Sequence, residues 1–290
     1  MRAFEDINPL ILFLYYMIIV LIVMLADNPI IFFISFVSAI IYYLIRNGCG
    51  NKGMHKYTLG LFVIMALINP IVSHNGVTIL FFMNDNPITL EACIYGLHTS
   101  LMIVAVLYWC YSFSQIMTSD KLLYIFGLFS SKLALMISMA LRYIPLFNDQ
   151  SKKVKQAQKA MGMYKDDNII DNFKANVRAF SIMITWALEN GIITAESMEN
   201  RGYGIGKRSH FSQFKIRKID VLLLTLSVGL EAFLLYGIGD IKFVYYPEIV
   251  MTEFSNWQLL YYIAYGVLVF IPIAFEIKET AKWAYLKSKI

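Results

Sequence analysis

The sequence predicts an all-α membrane protein: about six transmembrane helices, with a pair of long cytoplasmic helices inserted between the fourth and the fifth. Three observations carry that prediction. Hydrophobic residues make up 58% of the 290-residue chain and charged residues only 16%, far more apolar than a soluble domain. The apolar residues gather into runs of spanning length. Lysine and arginine fall on alternate sides of those runs.

The first run, Leu10–Leu25, and the second, Ile30–Ile45, lie near the short end of the roughly 17–25 residues a spanning helix needs. Ala-Asp-Asn-Pro joins them in a tight hairpin. The first run does not read as a secretion signal, because its apolar core is long, no small-x-small site follows, and the next span begins at once. Tyr57–Leu80 and Cys93–Met117 supply the third and fourth spans. Val221–Gly239 is the fifth, and Trp257–Ile277, interrupted by Pro272, is the sixth. The expected division is membrane helices one to four in 1–117, the insert in 118–218, and the last two spans with a basic tail in 219–290.

Charge sets the expected orientation. Basic residues cluster at Arg2, at Arg46, Lys52 and Lys56, across 118–218, and at Lys278, Lys282, Lys287 and Lys289. The turns at 26–29 and 81–92 carry none, and 240–256 carries only Lys242. Six alternating spans put every basic residue except Lys242 on the cytoplasmic side, with both termini inside. The formal charge of +5 is accounted for by this sidedness and is no argument for nucleic acid. Cys49, Cys93 and Cys110 have neither disulfide-frame nor metal-ligand spacing, and His55, His74, His98 and His210 are scattered. Loop or core roles suit these histidines better than ligation, and no metal site or catalytic group assembles from them.

The insert opens apolar and turns polar after Asn148. Leu133–Phe147 is too short for a span and contains Arg142, and a further crossing would strand the basic residues of 152–218 outside. An interfacial or protein-buried helix is expected there, kinked near Arg142 by Pro145, which lacks a backbone donor. Beyond the kink, Val154, Ala157 and Met161 recur among Lys152, Lys153, Lys155 and Lys159 as an amphipathic arm, and Gly162 is its stop. A second helix is expected from about Asn168 to Asn200, roughly 50 Å long. Its repeat is Phe173, Val177, Phe180, Ile184, Ala187, Gly191, Ala195 and Met198, whose small members would admit another helix closely. Gly202 caps it.

The glycine-rich stretch from Glu199 to Phe211, Glu-Asn-Arg-Gly-Tyr-Gly-Ile-Gly-Lys-Arg-Ser-His-Phe, is not a phosphate-binding P-loop. Arg201 stands where the first glycine of that motif belongs, and Arg208, not Ser or Thr, follows Lys207. It also follows a helix C-terminus, which presents carbonyls and favours cations. Arg201 there can fork onto a partner's carboxylate. Gln-Lys-Ala-Met-Gly closes the first arm at Gly162, and Glu-Asn-Arg-Gly closes the second at Gly202, 40 residues on. Two such tips suggest two equivalent contacts.

These residues resemble the transmembrane T component of energy-coupling factor (ECF) transporters, relatives of the cobalt-uptake permease subunit. The matching stretches are Ile-Asn-Pro-Leu-Ile-Leu-Phe at 7–13, Ile-Ser-Met-Ala-Leu-Arg-Tyr-Ile-Pro-Leu-Phe at 137–147, Ala-Gln-Lys-Ala-Met-Gly at 157–162 and Ala-Glu-Ser-Met-Glu-Asn-Arg-Gly-Tyr-Gly at 195–204. The resemblance runs from about residue 7 to 275. It implies a non-catalytic, multi-pass subunit of a prokaryotic cell membrane, with two coupling helices whose ends sit in grooves of two ATPase subunits. It also implies a substrate-capture (S) subunit on another face, taking up a vitamin or a transition-metal ion. ATP belongs to the ATPases, and no cofactor to this chain. By position, Asn200, Arg201 and Gly202 correspond to the second docking motif, and Ala160, Met161 and Gly162 to the first. Met161 stands where that family usually has arginine, so the first tip relies on apolar packing and on Lys159. Asn200 replaces the usual alanine.

A conventional ABC permease is the nearest alternative, although such subunits dock through one short helix. A secondary transporter would be expected to bury ionisable groups in its spans, for which Glu231 is the one candidate. An intramembrane enzyme finds no Ser/His, His-Glu-x-x-His or paired-Asp motif here.

Overall fold

Two Asn-Pro dipeptides start the first two helices. Asn8 Oδ1 accepts from Leu10 N at 3.1 Å ahead of α1, Pro9–Leu25, and Asn28 Oδ1 accepts from Ile30 N at 2.9 Å ahead of α2, Pro29–Asn47. In each, proline takes the first helical position, where its missing N–H costs nothing. The computed structural model describes residues 3–48, 52–73, 75–83, 86–162, 169–206, 214–241, 243–247 and 255–287. Arg2, Cys49, His74, Asn168, His210, Lys242, Lys289 and the Lys207–Arg208 pair lie outside the described residues.

The remaining elements are α3 (Lys52–Val72), strands β1 (Ile79–Met83) and β2 (Asn86–Thr89), α4 (Leu90–Ile116), α5 (Ser119–Phe129), α6 (Ser131–Ala160), α7 (Ile169–Asn200), α8 (Lys218–Ile241) and α9 (Asn256–Lys287). A short 3-10 turn at Ala3–Asp6 precedes α1. The chain divides into two compact units, one of Met1–Lys121 with Phe214–Ile290 and one of Leu122–Gln213. The all-α prediction holds. Among the described residues, five helices are long and apolar enough to cross a membrane, those at Pro29–Asn47, Gly53–Val72, Leu90–Ile116, Lys218–Gly239 and Asn256–Lys287. The 17-residue α1 is the shorter sixth. It is also the most enclosed: Leu12, Tyr15, Ile19 and Val23 are inaccessible to solvent, so α1 is wrapped chiefly by other helices.

Three expectations need correction. The third span was expected to reach Leu80, but α3 ends at Val72 and the chain then forms the antiparallel hairpin β1–β2, pairing Phe82 with Pro87 and Met83 with Asn86. Pro70, Asn75 and Gly76, at φ 136°, interrupt the helix there, which the unbroken apolarity on either side conceals. α5 lies in a stretch with no predicted element. α6 is one helix of 30 residues that runs through Pro145 and carries the apolar stretch and the amphipathic arm together, but among its described residues only Gln158 is buried. Leu133, Met136 and Ile144 stay 49%, 61% and 63% exposed, so that segment is not buried within its own unit.

Packing in the membrane unit answers the backbone groups that proline leaves open. Pro272 cannot donate to the carbonyl of Leu268 one turn earlier, and the Tyr15 hydroxyl donates to that carbonyl instead at 2.7 Å. Ser38 Oγ donates to the next carbonyl, Val269, at 2.9 Å. Pro70 leaves the Ala66 carbonyl open in the same way, and Gly96 of α4 packs on it so closely that a Cβ there would lie 2.8 Å from that oxygen. Trp109 Nε1 donates to Ser35 Oγ at 3.1 Å between α4 and α2.

A buried ionic knot ties the helix ends together. The Arg46 side chain is 1% exposed, and its Nε donates to Gln115 Oε1 at 3.0 Å while Nη2 reaches Glu5 Oε1 at 3.3 Å. Lys121 Nζ donates to the Glu5 carbonyl at 2.6 Å, and burial holds this lysine below the ordinary lysine pKa, against the pull of the Glu5 charge. His98 is buried and His55 partly buried, with Nδ1 hydrogen-bonded to the hydroxyls of Tyr245 and Tyr108 respectively. Among the described residues no group of His, Cys, Asp or Glu is arranged to hold a metal. Glu231 lies half-buried on α8.

Candidate functional site

In the second unit α6 and α7 pack as an antiparallel pair. The Tyr143 hydroxyl lies 2.8 Å from Thr194 Oγ1, and one turn further along α6 the Phe147 ring meets Trp186 edge-on at 5.4 Å between centroids. Advancing along α6 therefore means retreating along α7. The inward face of α7 holds Ala175, Ala179 and Met183, all buried, then Trp186, Asn190 and Thr194. This corrects the expected stripe. Phe173, Val177, Phe180 and Ile184 are 69%, 52%, 66% and 45% exposed, and a methyl group on Gly191 would meet nothing within 4 Å, so among the described residues of this unit no helix approaches closely there. The stripe and the true inward face are adjacent on the helix surface, and hydrophobicity selected the wrong one of the two. On α6 the inward residue near the tip is likewise Gln158, with Ala157 and Met161 outside.

Both sequence-predicted tips close on a left-handed glycine whose N–H reaches back three residues. At the end of α7, Gly202 takes φ 80° and its N–H donates to the Glu199 carbonyl at 2.9 Å, while Tyr203 N–H reaches back to the Met198 carbonyl at 3.0 Å. These two bonds define a Schellman cap, whose left-handed residue is glycine because a side chain would be strained there. At the end of α6, Gly162 takes φ 71° and its N–H donates to the Lys159 carbonyl at 3.0 Å. Arg201 and Met161 thus occupy the same position, the last before the left-handed glycine, with Asn200 and Ala160 just inside. Both side chains are exposed, Met161 at 62%. Among the described residues no carboxylate pairs with Arg201.

The antiparallel register sends the tips in opposite directions. Met161 lies roughly 27 Å of helix beyond Tyr143, and Arg201 roughly 10 Å beyond Thr194 the other way. At the Arg201 end the helices border an open cavity of about 1080 Å³. Arg201, Gly202 and Ser197 line it from α7 and its cap, and Ser131, Ser138 and Arg142 from α6. In the sequence Arg142 argues against another span, marks the expected kink and belongs to the matching stretch at 137–147. No spacing links it to Arg201, 59 positions away, and only the helix register brings the two guanidiniums to one cavity.

A family model described as a cobalt transport protein, CbiQ, matches residues 2–211. The chain belongs to the CbiQ family. Several curated relatives of this CbiQ-family chain carry the name energy-coupling factor transporter transmembrane protein EcfT. The one from Lactobacillus helveticus is 32% identical over 117 residues, 40% of this chain and 42% of that protein. That from Listeria innocua is 36% identical over 100 residues, 33% and 38% of the two chains. That from Staphylococcus aureus is 24% identical over 216 residues, 71% of each. The chain thus spans about two-fifths of the length of the first two relatives. Spanning helices and family membership together make it a multi-pass membrane protein of a transport family.

Proposed function

We propose that this chain is the transmembrane coupling subunit of an ECF-type ABC importer. It passes the ATP-driven motion of two ATPase subunits to a substrate-capture subunit that takes up a vitamin or a transition-metal ion. The observation that carries this reading is the pair of equivalent helix tips, at Met161 and Arg201, directed to opposite ends of one antiparallel helix pair. A chain that engages two copies of one kind of partner needs two like contacts held apart, and α6 and α7 form a stiff spacer between them. Arg201 supplies a guanidinium able to fork onto a carboxylate, and Asn200 and Gly202 flank it in the groove. Ala160, Met161 and Gly162 make the other contact by apolar packing. Nucleotide belongs to the partners, and the glycine-rich stretch after Arg201 acts as a helix cap and not as a phosphate cradle. Both termini and the α6–α7 unit lie on the cytoplasmic side of the prokaryotic cell membrane, following the distribution of lysine and arginine.

The test is reconstitution from purified parts in detergent and then in vesicles. The chain alone should neither turn over ATP nor retain a vitamin or a transition-metal ion. An ATPase pair should bind it stably and become active, and uptake should require a capture subunit in addition. ATP turnover by the lone chain, with contaminating ATPases excluded, would overturn the reading.

A further inference from the structure

The cavity at the Arg201 end has a composition that docking by a helix tip does not require. Arg142 and Arg201 both line it, three serines, Ser131, Ser138 and Ser197, add hydroxyl donors, and no Asp or Glu is among its lining residues. Two cationic residues on one space favour an anion there, and each guanidinium offers it a fork-shaped donor set. The cavity continues into a second groove of about 740 Å³, sharing Leu135, Met139, Thr194 and Met198 with it. That groove adds apolar Met136, Ala140 and Ala195, and also bears Lys132 and Glu199. A cationic, hydroxyl-rich chamber opening into an apolar trough has the chemistry of a phosphate headgroup followed by acyl chain. The exposed apolar residues beside it, Leu133, Met136 and Ile192, suit a unit in contact with lipid.

We propose that the cavity between α6 and α7 binds an anionic phospholipid, its phosphate held by Arg142 and Arg201 with Ser138 and Ser197, and its acyl chain along the Leu135–Met139–Met198 groove. The shared chemistry is a phosphate-bearing anion. The apolar extension assigns it to a lipid headgroup, because free phosphate makes no use of that groove. Arg142 is the cation that belongs to this site alone. Arg201 is shared with the ATPase contact proposed above, whereas Arg142 is not, so substitution of Arg142 tests the lipid site apart from that contact.

The experiment is native mass spectrometry of the full chain in detergent, titrated separately with phosphatidylglycerol, phosphatidylcholine and inorganic phosphate. Phosphatidylglycerol should be retained at about tenfold lower concentration than phosphatidylcholine, which carries the same phosphate but also a choline cation that the two arginines repel. Arg142→Gln should abolish that preference. Ser138→Leu, which fills the chamber and keeps both arginines, should do the same, while Arg142→Lys should keep part of it. Helical content by circular dichroism guards against misfolding of any one variant. Equal retention of the two lipids, or an unchanged preference in both Arg142→Gln and Ser138→Leu, would overturn the proposal. Inorganic phosphate displacing phosphatidylglycerol at equal concentration would assign the site to free phosphate and overturn the lipid assignment. ATPase binding, measured in parallel, should survive Arg142→Gln and fail in Arg201→Gln, which separates this site from the coupling role.

Discussion

Replacing Arg201 by glutamate reverses the charge at one helix tip while leaving the Schellman cap in place, since both cap bonds are made by backbone atoms. If Arg201 forks onto a carboxylate of an ATPase, the substitution removes a hydrogen bond between charged groups, about 1.5–3 kcal/mol, equivalent to roughly 10- to 150-fold in affinity. Repulsion between the two carboxylates adds to that loss, so transport should cease. Met161→Ala perturbs the equivalent position on α6 and sets the comparison. Three heavy atoms disappear from a side chain that is 62% exposed in the free chain. At about 0.8 kcal/mol for each buried methylene-sized group, docking can lose no more than roughly 1.5 kcal/mol, or about tenfold. The assay is binding of the purified ATPase pair to each detergent-solubilised variant, with vesicle uptake as the functional readout. Equal losses in the two variants would refute the asymmetry assigned to the tips. Unchanged binding in Arg201→Glu would refute docking through this residue.

Two further predictions concern the membrane unit and its orientation. Tyr15→Phe should leave the Leu268 carbonyl unpaired and Gly96→Ala should drive a methyl group into the Ala66 carbonyl, each costing about 1–3 kcal/mol and lowering the detergent melting point by several degrees. Gly229→Ala, where an added Cβ meets nothing within 4 Å, is the control expected to melt like the parent, and a control that melted with the other two would remove their packing explanation. Single cysteines at Asn86 and Ser255 should react with an impermeant thiol reagent applied to intact cells, whereas cysteines at Asn51 and Ser209 should not. External labelling at Ser209 would invert the orientation.

The spans, the two long helices and their glycine caps were legible in the sequence because they are local. Apolar run length, a proline at the first helical position and a glycine after the last turn each act on neighbouring residues. Gly162 and Gly202 adopt the left-handed conformation that their position after a helical pattern implies. The places where local reading failed are those where two segments compete on nearly equal terms. The apolar stretch to Leu80 suits a helix end or a hairpin, and the turn residues around Gly76 decided it. α7 carries two adjacent apolar faces, and composition favoured the one with larger side chains, whereas the partner helix takes the one with Ala175, Ala179 and Met183.

Tertiary structure alone decided which distant residues meet. The Tyr15 hydroxyl reaches the carbonyl freed by Pro272, and Arg46 meets Glu5 and Gln115, across separations that no periodicity encodes. The same holds for Arg142 and Arg201, whose shared cavity follows from the register set where Tyr143 meets Thr194 and Phe147 meets Trp186. The sequence by itself determined helices, caps and membrane spans, because backbone hydrogen bonding and transfer from water are satisfied within a few residues. The pairing of faces was left to the fold, because it depends on the shape that two helices present to each other, and shape is a property of the packed pair.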